Sequence, residues 1–276
     1  MEIIADLISV VMSIYDGDDP IYIKESIESI LLQTYKCLEF IIVLDGVHRE
    51  DIIEIVEQYE VSDKRIIVLN TVKNRGLAFA MNMAISKARG RYIVRMDADD
   101  ISKLDRIEKL VNYMDFNPSI DISGSYIEEY VNDQRLREVR YPMQHREMKR
   151  LFLRRNPLAH PSVIFRRSYF DKAGYYPLIS IRNEDTLLWL SGFKNSCIFS
   201  NVPEVLYRFR INEKTRRRRS GLKKSISDFV DRMRVIIDLD GDLVDVFYAL
   251  GAVVVQNMPN SIYNSIRMKI ISNKVF

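Results

Sequence analysis

From residue 7 to residue 116, short apolar runs alternate with segments whose apolar residues recur every three or four positions. That alternation predicts parallel strands joined by crossover helices. Leu7 to Ile14 reads as the first strand. Ile23, Ile27, Ile30 and Leu31 then recur at helical spacing after Pro20, and Leu38 to Leu44 reads as a second strand ending at Asp45-Gly46. Ile52, Ile55, Val56 and Tyr59 mark the next helix, and Ile66 to Leu69 the next strand. Asn74-Arg75-Gly76 opens a helix with one apolar stripe, Leu77, Met81, Ala84, Ile85 and Ala88, which Gly90 is placed to end. A fourth strand, Arg91 to Met96, runs into Asp97-Ala98-Asp99-Asp100, and a helix from about Lys103 to Tyr113 stops near Asn117-Pro118.

After Pro118 the pattern changes to longer alternating strands, Ile120 to Val131 and Arg135 to Tyr141, split by Asn132-Asp133 and so expected to be antiparallel. Helices are expected near Arg146 to Leu153 and Glu184 to Ser191, with short strands at Ser162 to Phe165 and Glu204 to Arg210. From Ser220 onward the chain reads as helices. Leu222, Ile226, Phe229, Val230 and Met233 share one face, Leu243 to Val255 is strongly apolar, and Asn260 caps a last amphipathic segment. The fold class is therefore α/β, a mixed and mostly parallel sheet flanked by helices, with a C-terminal helical extension.

The formal charge of the 276 residues is +3, but Lys214 to Lys224 holds seven basic residues and no acid, so the remainder is net acidic. One cationic stripe on an acidic body suits a local contact with phosphate, such as lipid head groups, rather than a surface that coats nucleic acid. A solvated loop accounts for the run equally well. Cys37 and Cys197 have no metal-ligand spacing, which excludes a disulfide framework and suggests reduced core thiols. The N-terminus lacks the basic and apolar regions of a signal peptide, and no later segment reaches the roughly 18 apolar residues that span a bilayer. The expectation is a cytoplasmic chain.

Asp97 and Asp99 stand two apart at the end of a buried strand, so in extended backbone both carboxylates lie on one side. Paired carboxylates suit Mg²⁺ or Mn²⁺, which take oxygen ligands and commonly share them with a substrate's phosphates. The carboxyl ends of parallel strands are also where open α/β sheets bind ligands. The same acids would serve as well to start the helix near Lys103. Asp45 ends another buried strand and adds a carboxylate to the same sheet edge, favouring a polyanionic ligand with a metal.

At these residues the chain resembles the family 2 glycosyltransferases of the GT-A (Rossmann-like) fold, which are inverting enzymes that use nucleotide sugars. The resemblance covers about residues 7 to 212. It rests on Ser9-Val-Val-Met-Ser-Ile-Tyr15, Ser26-Ile-Glu-Ser-Ile-Leu-Leu-Gln-Thr34, Leu44-Asp-Gly46, Asn74-Arg-Gly-Leu-Ala78, Gly90-Arg-Tyr-Ile93, Asp97-Ala-Asp-Asp100 and Asn183-Glu-Asp-Thr-Leu-Leu-Trp189. Each motif is short, and their order and spacing together make the match. The resemblance implies a transferase domain over residues 1–213, with a nucleotide-binding half, 1–116, and an acceptor half, 117–213, followed by the basic and amphipathic extension 214–276.

By the same resemblance, uracil and ribose lie near Ser13, Tyr15 and Asp45, with Asn74 and Arg75 close to the nucleotide. Asp97 contacts the nucleotide and Asp99 holds the Mn²⁺ or Mg²⁺ that bridges the diphosphate. Asp185 is the base that takes the acceptor's proton, with the adjacent Glu184 as the alternative. His160 and Trp189 fall on the acceptor side, although an isolated His is more often structural and a Trp among Leu187, Leu188 and Leu190 more often core. Where many relatives carry Tyr-Arg-x-His, this chain has Tyr207-Arg208-Phe209-Arg210. Arg cannot ligate a cation but can pair with phosphate, so Arg208 and Arg210 are candidates to neutralise the leaving group, and metal dependence is in question.

The implied reaction transfers a hexose or N-acetylhexosamine from a UDP-sugar to a glycan or lipid-linked glycan acceptor in O-antigen, capsule or other surface-polysaccharide synthesis. The tail suits either peripheral attachment to the anionic inner face of the cytoplasmic membrane or a homodimer contact. No nucleic-acid partner is implied. Two other readings stand. Asp97-Ala-Asp-Asp-Ile101 approaches the pattern of haloacid-dehalogenase-type phosphohydrolases, and the body could be a non-catalytic nucleotide-binding scaffold.

Overall fold

A computed structural model describes residues 3–131, 133–179, 183–211 and 221–258, with the side chain of Lys223 left out. The basic run Lys214 to Arg219 and the segment from Asn260 lie outside the described residues. The chain divides into two compact units, Met1–Phe152 with Asn156–Ile211, and Leu153–Arg155 with Asn212–Phe276.

The first unit is a nine-stranded mixed sheet. Its parallel part is β1 (Ile4–Ile14), β2 (Leu38–Asp45), β3 (Ile66–Thr71) and β4 (Gly90–Asp97), in the spatial order β3-β2-β1-β4. The crossovers are helices α1 (Pro20–Leu31), α2 (Glu50–Ser62) and α3 (Leu77–Lys87). α1 starts where Asp19 caps it, its side chain accepting from Ile21 N, and Pro20 sets the first turn. Its buried face is Ile23, Ile27 and Ile30, the spacing read in the sequence. β2 is buried at every position, which explains why its sequence is a continuous apolar run rather than an alternation.

A short β5 (Ile101–Ser102) then precedes α4 (Arg106–Phe116). This moves the helix start from the expected Lys103 to Arg106, because Ile101 and Ser102 pair with a later strand instead. The chain continues through β6 (Ile122–Val131), β7 (Gln134–Val139), α5 (His145–Phe152), a 3-10 turn (His160–Ser162), β8 (Ile164–Arg166), α6 (Ser168–Ala173), α7 (Glu184–Lys194) and β9 (Phe199–Arg210). β6 and β7 form the expected antiparallel hairpin, while β9 runs parallel to β6 and antiparallel to β5. β9 begins at Phe199 rather than at the expected Glu204, because Phe199 to Val202 pair with Ile122 to Ser125 of β6. Cys37 is exposed rather than in the core, and Cys197 is buried.

The parallel register sets the site. Ser13 on β1 lies opposite Val43 of β2 on one side and Asp97 of β4 on the other, so the carboxyl ends of three strands share one edge.

In the second unit, α8 (Leu222–Asp238) and α9 (Leu243–Gln256) form a helix pair, joined through Asp240 and Gly241. Asp242 and Asp245 make a reciprocal capping box at the start of α9. Arg154 Nε donates to Asp245 Oδ1 at 2.7 Å. The helices are tied by Asn257 Nδ2 to Ser225 Oγ, 2.8 Å, and Gln256 Nε2 to Asp228 Oδ2, 3.2 Å. Of the residues read as sharing one apolar face, Leu222, Ile226 and Val230 are exposed. Phe247, Leu250 and Val254 of α9 are exposed as well.

Candidate functional site

β4 delivers Asp97 to the sheet edge, and the turn after it brings in Asp99 and Asp100. One carboxylate oxygen from each of the three lies within 4.8 Å of the others. Several elements hold this turn. Ser26 Oγ of α1 donates to Asp97 O at 2.8 Å, and Gln33 Nε2 donates to Lys103 O at 2.7 Å while its Oε1 accepts from Ile107 N. The residues of the Ser26 to Thr34 motif thus act from behind the acidic turn. From β9, Asp97 N donates to Tyr207 Oη at 3.2 Å.

Asp100 is 1% exposed. Its Oδ1 accepts from Arg210 N at 2.7 Å, and Oδ2 is buried with no partner. Burial, then the charges of Asp99 and Asp97, push the Asp100 carboxyl well above the usual carboxylate range. An orphaned buried carboxylate oxygen among three acids fits a hard divalent cation, whose charge would relieve both costs.

Arg95, 2% exposed, donates from Nη2 to Asp97 Oδ1 at 2.5 Å. Its Nε and Nη1 are buried without partners. Arg210 is also committed: its Nε donates to Asp99 O at 2.8 Å, its Nη2 pairs with Glu25, and its guanidinium lies 3.8 Å from the Tyr22 ring centroid. Arg208 pairs with Glu128 at 2.7 Å, on the β6 side.

On β2, Asp45 is 1% exposed and its carboxylate shapes the next turn. Oδ1 accepts from Arg75 N and Thr71 Oγ1, both at 2.9 Å, and Oδ2 from Gly76 N at 2.8 Å. Asn74 Nδ2 donates to Asp45 O at 3.2 Å, and the Arg75 guanidinium sits 3.5 Å from the Phe79 ring centroid. Gly46 has φ +64°, and a Cβ there would lie 2.0 Å from Asn74 N. Tyr15 N donates to Asp18 Oδ2 at 3.0 Å, which fixes the loop beyond β1.

Glu184 and Asp185 open α7. Asp185 Oδ2 accepts from Asn156 Nδ2 at 2.7 Å, and Oδ1 from Thr186 N at 2.7 Å. Tyr176 lies beside His160. It is buried, its backbone is tied both ways to the Asn82 side chain, and its hydroxyl lies 2.8 Å from His160 Nε2. Burial raises the Tyr176 phenol; Arg95 opposes this, while Asp185, Glu184 and Asp97 all add to it. Burial, with the Arg95 charge, holds His160 well below the usual imidazole range, so it is neutral.

Trp189, expected on the acceptor side, is 0% exposed. Its ring packs edge-on to His160 at 5.7 Å and against Phe165 and Phe199, which leaves no face for a sugar. It is a core residue. Arg95, Tyr176 and Asn156 were not legible as site residues, because nothing in their local sequence distinguishes them from structural residues.

The chain matches the model of glycosyl transferase family 2 over residues 9–174. An uncharacterised glycosyltransferase of Methanocaldococcus jannaschii is 36% identical over 209 residues, 74% of this chain and 71% of that protein. The UDP-Gal:α-D-GlcNAc-diphosphoundecaprenol β-1,3-galactosyltransferase of Escherichia coli is 28% identical over 221 residues, 80% of each chain. The amylovoran biosynthesis glycosyltransferase AmsE of Erwinia amylovora is 26% identical over 256 residues, 92% of this chain and 95% of that one. Among solved structures, S. aureus TarS 1–349 in complex with UDP superposes with a TM-score of 0.64 at 18% identity, covering 87% of this chain and 68% of that one. The mannosyltransferase PcManGT of Pyrobaculum calidifontis, in complex with GDP-Man and Mn²⁺, gives 0.64 at 16% identity over 98% and 80%. The fold is thus GT-A. The protein belongs to glycosyl transferase family 2 and is a glycosyltransferase with relatives in surface-polysaccharide synthesis, which sets aside the phosphohydrolase and scaffold readings.

Proposed function

We propose that the protein is an inverting, metal-assisted transferase that moves a hexose or N-acetylhexosamine from a UDP-sugar to a glycan acceptor, lipid-linked, in the synthesis of a surface polysaccharide. The carrying observation is the acidic turn itself: Asp97, Asp99 and Asp100 bring one carboxylate oxygen each within 4.8 Å of one another at the carboxyl end of parallel strand β4, beside Ser13 of β1.

In this reading Ser13, Tyr15 and the turn Asn74–Arg75 surround the nucleotide, with Asp45 acting through that turn. Asp99 and Asp100 would hold Mn²⁺ or Mg²⁺, which supplies Lewis-acid stabilisation of the departing diphosphate. Arg95 and Asp97 stay paired beside it. The acceptor oxygen bonds to the anomeric carbon as the bond from that carbon to the diphosphate oxygen breaks, and its proton passes to Asp185, with Glu184 as the neighbouring alternative. His160, next to Tyr176, would face the acceptor in this reading.

Residues 1–213 constitute the transferase domain in this reading and 214–276 an attachment to an anionic membrane surface. Among the described residues no helix is long and apolar enough to cross a membrane. Exposed Ile226, Phe247 and Val254, together with the basic run, suit peripheral contact at the cytoplasmic face.

The test is UDP release from UDP-glucose, UDP-galactose and UDP-N-acetylglucosamine, with GlcNAc-diphosphoundecaprenol, the acceptor in the name of the E. coli relative, as the first acceptor. Asp185→Asn should abolish turnover and keep donor binding. Normal turnover by Asp185→Asn, with Glu184→Gln inactive, would transfer the base to Glu184.

A further inference from the structure

We infer that Asn156 is a positioning residue for the base: its side-chain amide, oriented by Thr186, fixes the Asp185 carboxylate for removal of the acceptor's proton. The inference rests on Asp185 being that base.

The geometry is a closed triangle. Asn156 Nδ2 donates to Asp185 Oδ2 at 2.7 Å, and Thr186 N donates to Asp185 Oδ1 at 2.7 Å. Thr186 Oγ1 lies 3.1 Å from Asn156 Oδ1 and 3.4 Å from Asp185 Oδ1, so its single proton goes to the nearer Asn156 carbonyl. With its carbonyl accepting from Thr186, the Asn156 amide must present N–H to the carboxylate. The amide orientation is thus set by the network rather than by choice of rotamer.

Asn156 is well placed to hold still. Pro157 restricts the backbone after it, and Asn201 Nδ2 donates to Pro157 O at 3.2 Å. Leu158, two residues on, is buried. Twenty-nine residues separate Asn156 from Asp185, so the contact links the loop before the His160 turn to the start of α7. An anchor on each oxygen removes rotation of the carboxylate about its last bond, the motion that would turn it away from the attacking hydroxyl.

The balance of the step is unchanged by Asn156. The proton leaves the acceptor oxygen for Asp185, and the electron pair of the broken bond leaves on the nucleoside diphosphate.

The experiment measures UDP release from the same three UDP-sugars with water as acceptor, so that no acceptor need be identified, for wild type, Asn156→Ala, Asn156→Asp and Asp185→Asn. Asn156→Asp is isosteric and keeps the packing but replaces the donor with an oxygen. The expected result is a fall in kcat of at least tenfold for both Asn156 variants, the larger for Asn156→Asp, with donor KM within twofold of wild type. Wild-type kcat in Asn156→Asp, or a loss confined to KM, overturns the inference. Loss in Asp185→Asn with normal Asn156 variants overturns it while leaving the base assignment standing; full activity in Asp185→Asn removes the base assignment itself. A second reading needs no turnover: in nitrogen-15-labelled protein the Asn156 side-chain amide resonances should move in Asp185→Ala and stay in Glu184→Ala. An unmoved resonance in Asp185→Ala overturns the inference.

Discussion

Arg210 Nε donates to the carbonyl of Asp99 at 2.8 Å, so the residue at the end of β9 holds the backbone of the acid proposed to bind the cation. Its own N–H reaches Asp100 Oδ1 at 2.7 Å. Arg210 is therefore a clamp on the acidic turn. Its guanidinium is taken up by Asp99, Glu25 and Tyr22.

Replacing Arg210 should cost the turn its shape. Hydrogen bonds of this charged kind contribute about 1.5–3 kcal/mol each. Arg210→Ala is therefore expected to weaken Mn²⁺-dependent UDP binding by roughly 10- to 100-fold. Arg210→Lys should recover little, since a lysine can neither fork between two acceptors nor stack on Tyr22 in the same way. Calorimetric titration reads both. Wild-type affinity in Arg210→Ala would show that the turn holds without the clamp.

Asp45 organises the Arg75–Gly76 backbone, and Asp45→Ala leaves two turn N–H groups without their carboxylate. A loss of stability of about 2 kcal/mol is expected, with weaker UDP binding. Gly46→Ala should do at least as much harm, because its Cβ would meet Asn74 N at 2.0 Å in a backbone of φ +64°. Urea denaturation of the two variants checks the order.

His160 gives a pH signature of stability. It is neutral in the fold, whereas in the unfolded chain it takes up a proton below about 6.5. The unfolded state then binds more protons, so stability falls as pH drops below 6.5, by up to about 1.4 kcal/mol per pH unit, until the folded-state value is reached. His160→Gln, which can still meet the Tyr176 hydroxyl, should flatten that slope between pH 6.5 and 5 in thermal melts. An unchanged slope would place the acid sensitivity elsewhere.

The strand ends were legible because each couples a local pattern to a position. A buried apolar run followed by an acid marks Asp45 and Asp97, and parallel pairing then puts both on one edge. Asp185 was legible only through its motif. Tyr176 and Asn156 were hidden because their partners lie 94 and 29 residues away, at Asn82 and Asp185. The apolar stripe of α8 was legible as a face, but what it contacts was not. Periodicity identifies an apolar face, but Ser225 and Asp228 make the bonds to the end of α9, and Ile226 stays exposed.

The tail carries its own test. Vesicles containing phosphatidylglycerol should retain the protein at low salt and release it as salt rises. Changing Arg216 to Arg219 to alanine should weaken retention by about 100-fold or more, at about 1 kcal/mol per basic residue near an anionic surface. Equal binding to neutral vesicles, or a dimer that forms without lipid, would assign the exposed apolar faces to another use.

The central claim is a nucleotide-sugar donor site on the acidic turn. The most direct measurement is titration of the protein with UDP, with and without Mn²⁺, for wild type and Asp99→Ala. The account predicts UDP binding that Mn²⁺ strengthens in wild type and that Asp99→Ala loses; no UDP binding under any condition, or Mn²⁺-strengthened binding that survives Asp99→Ala, would contradict it.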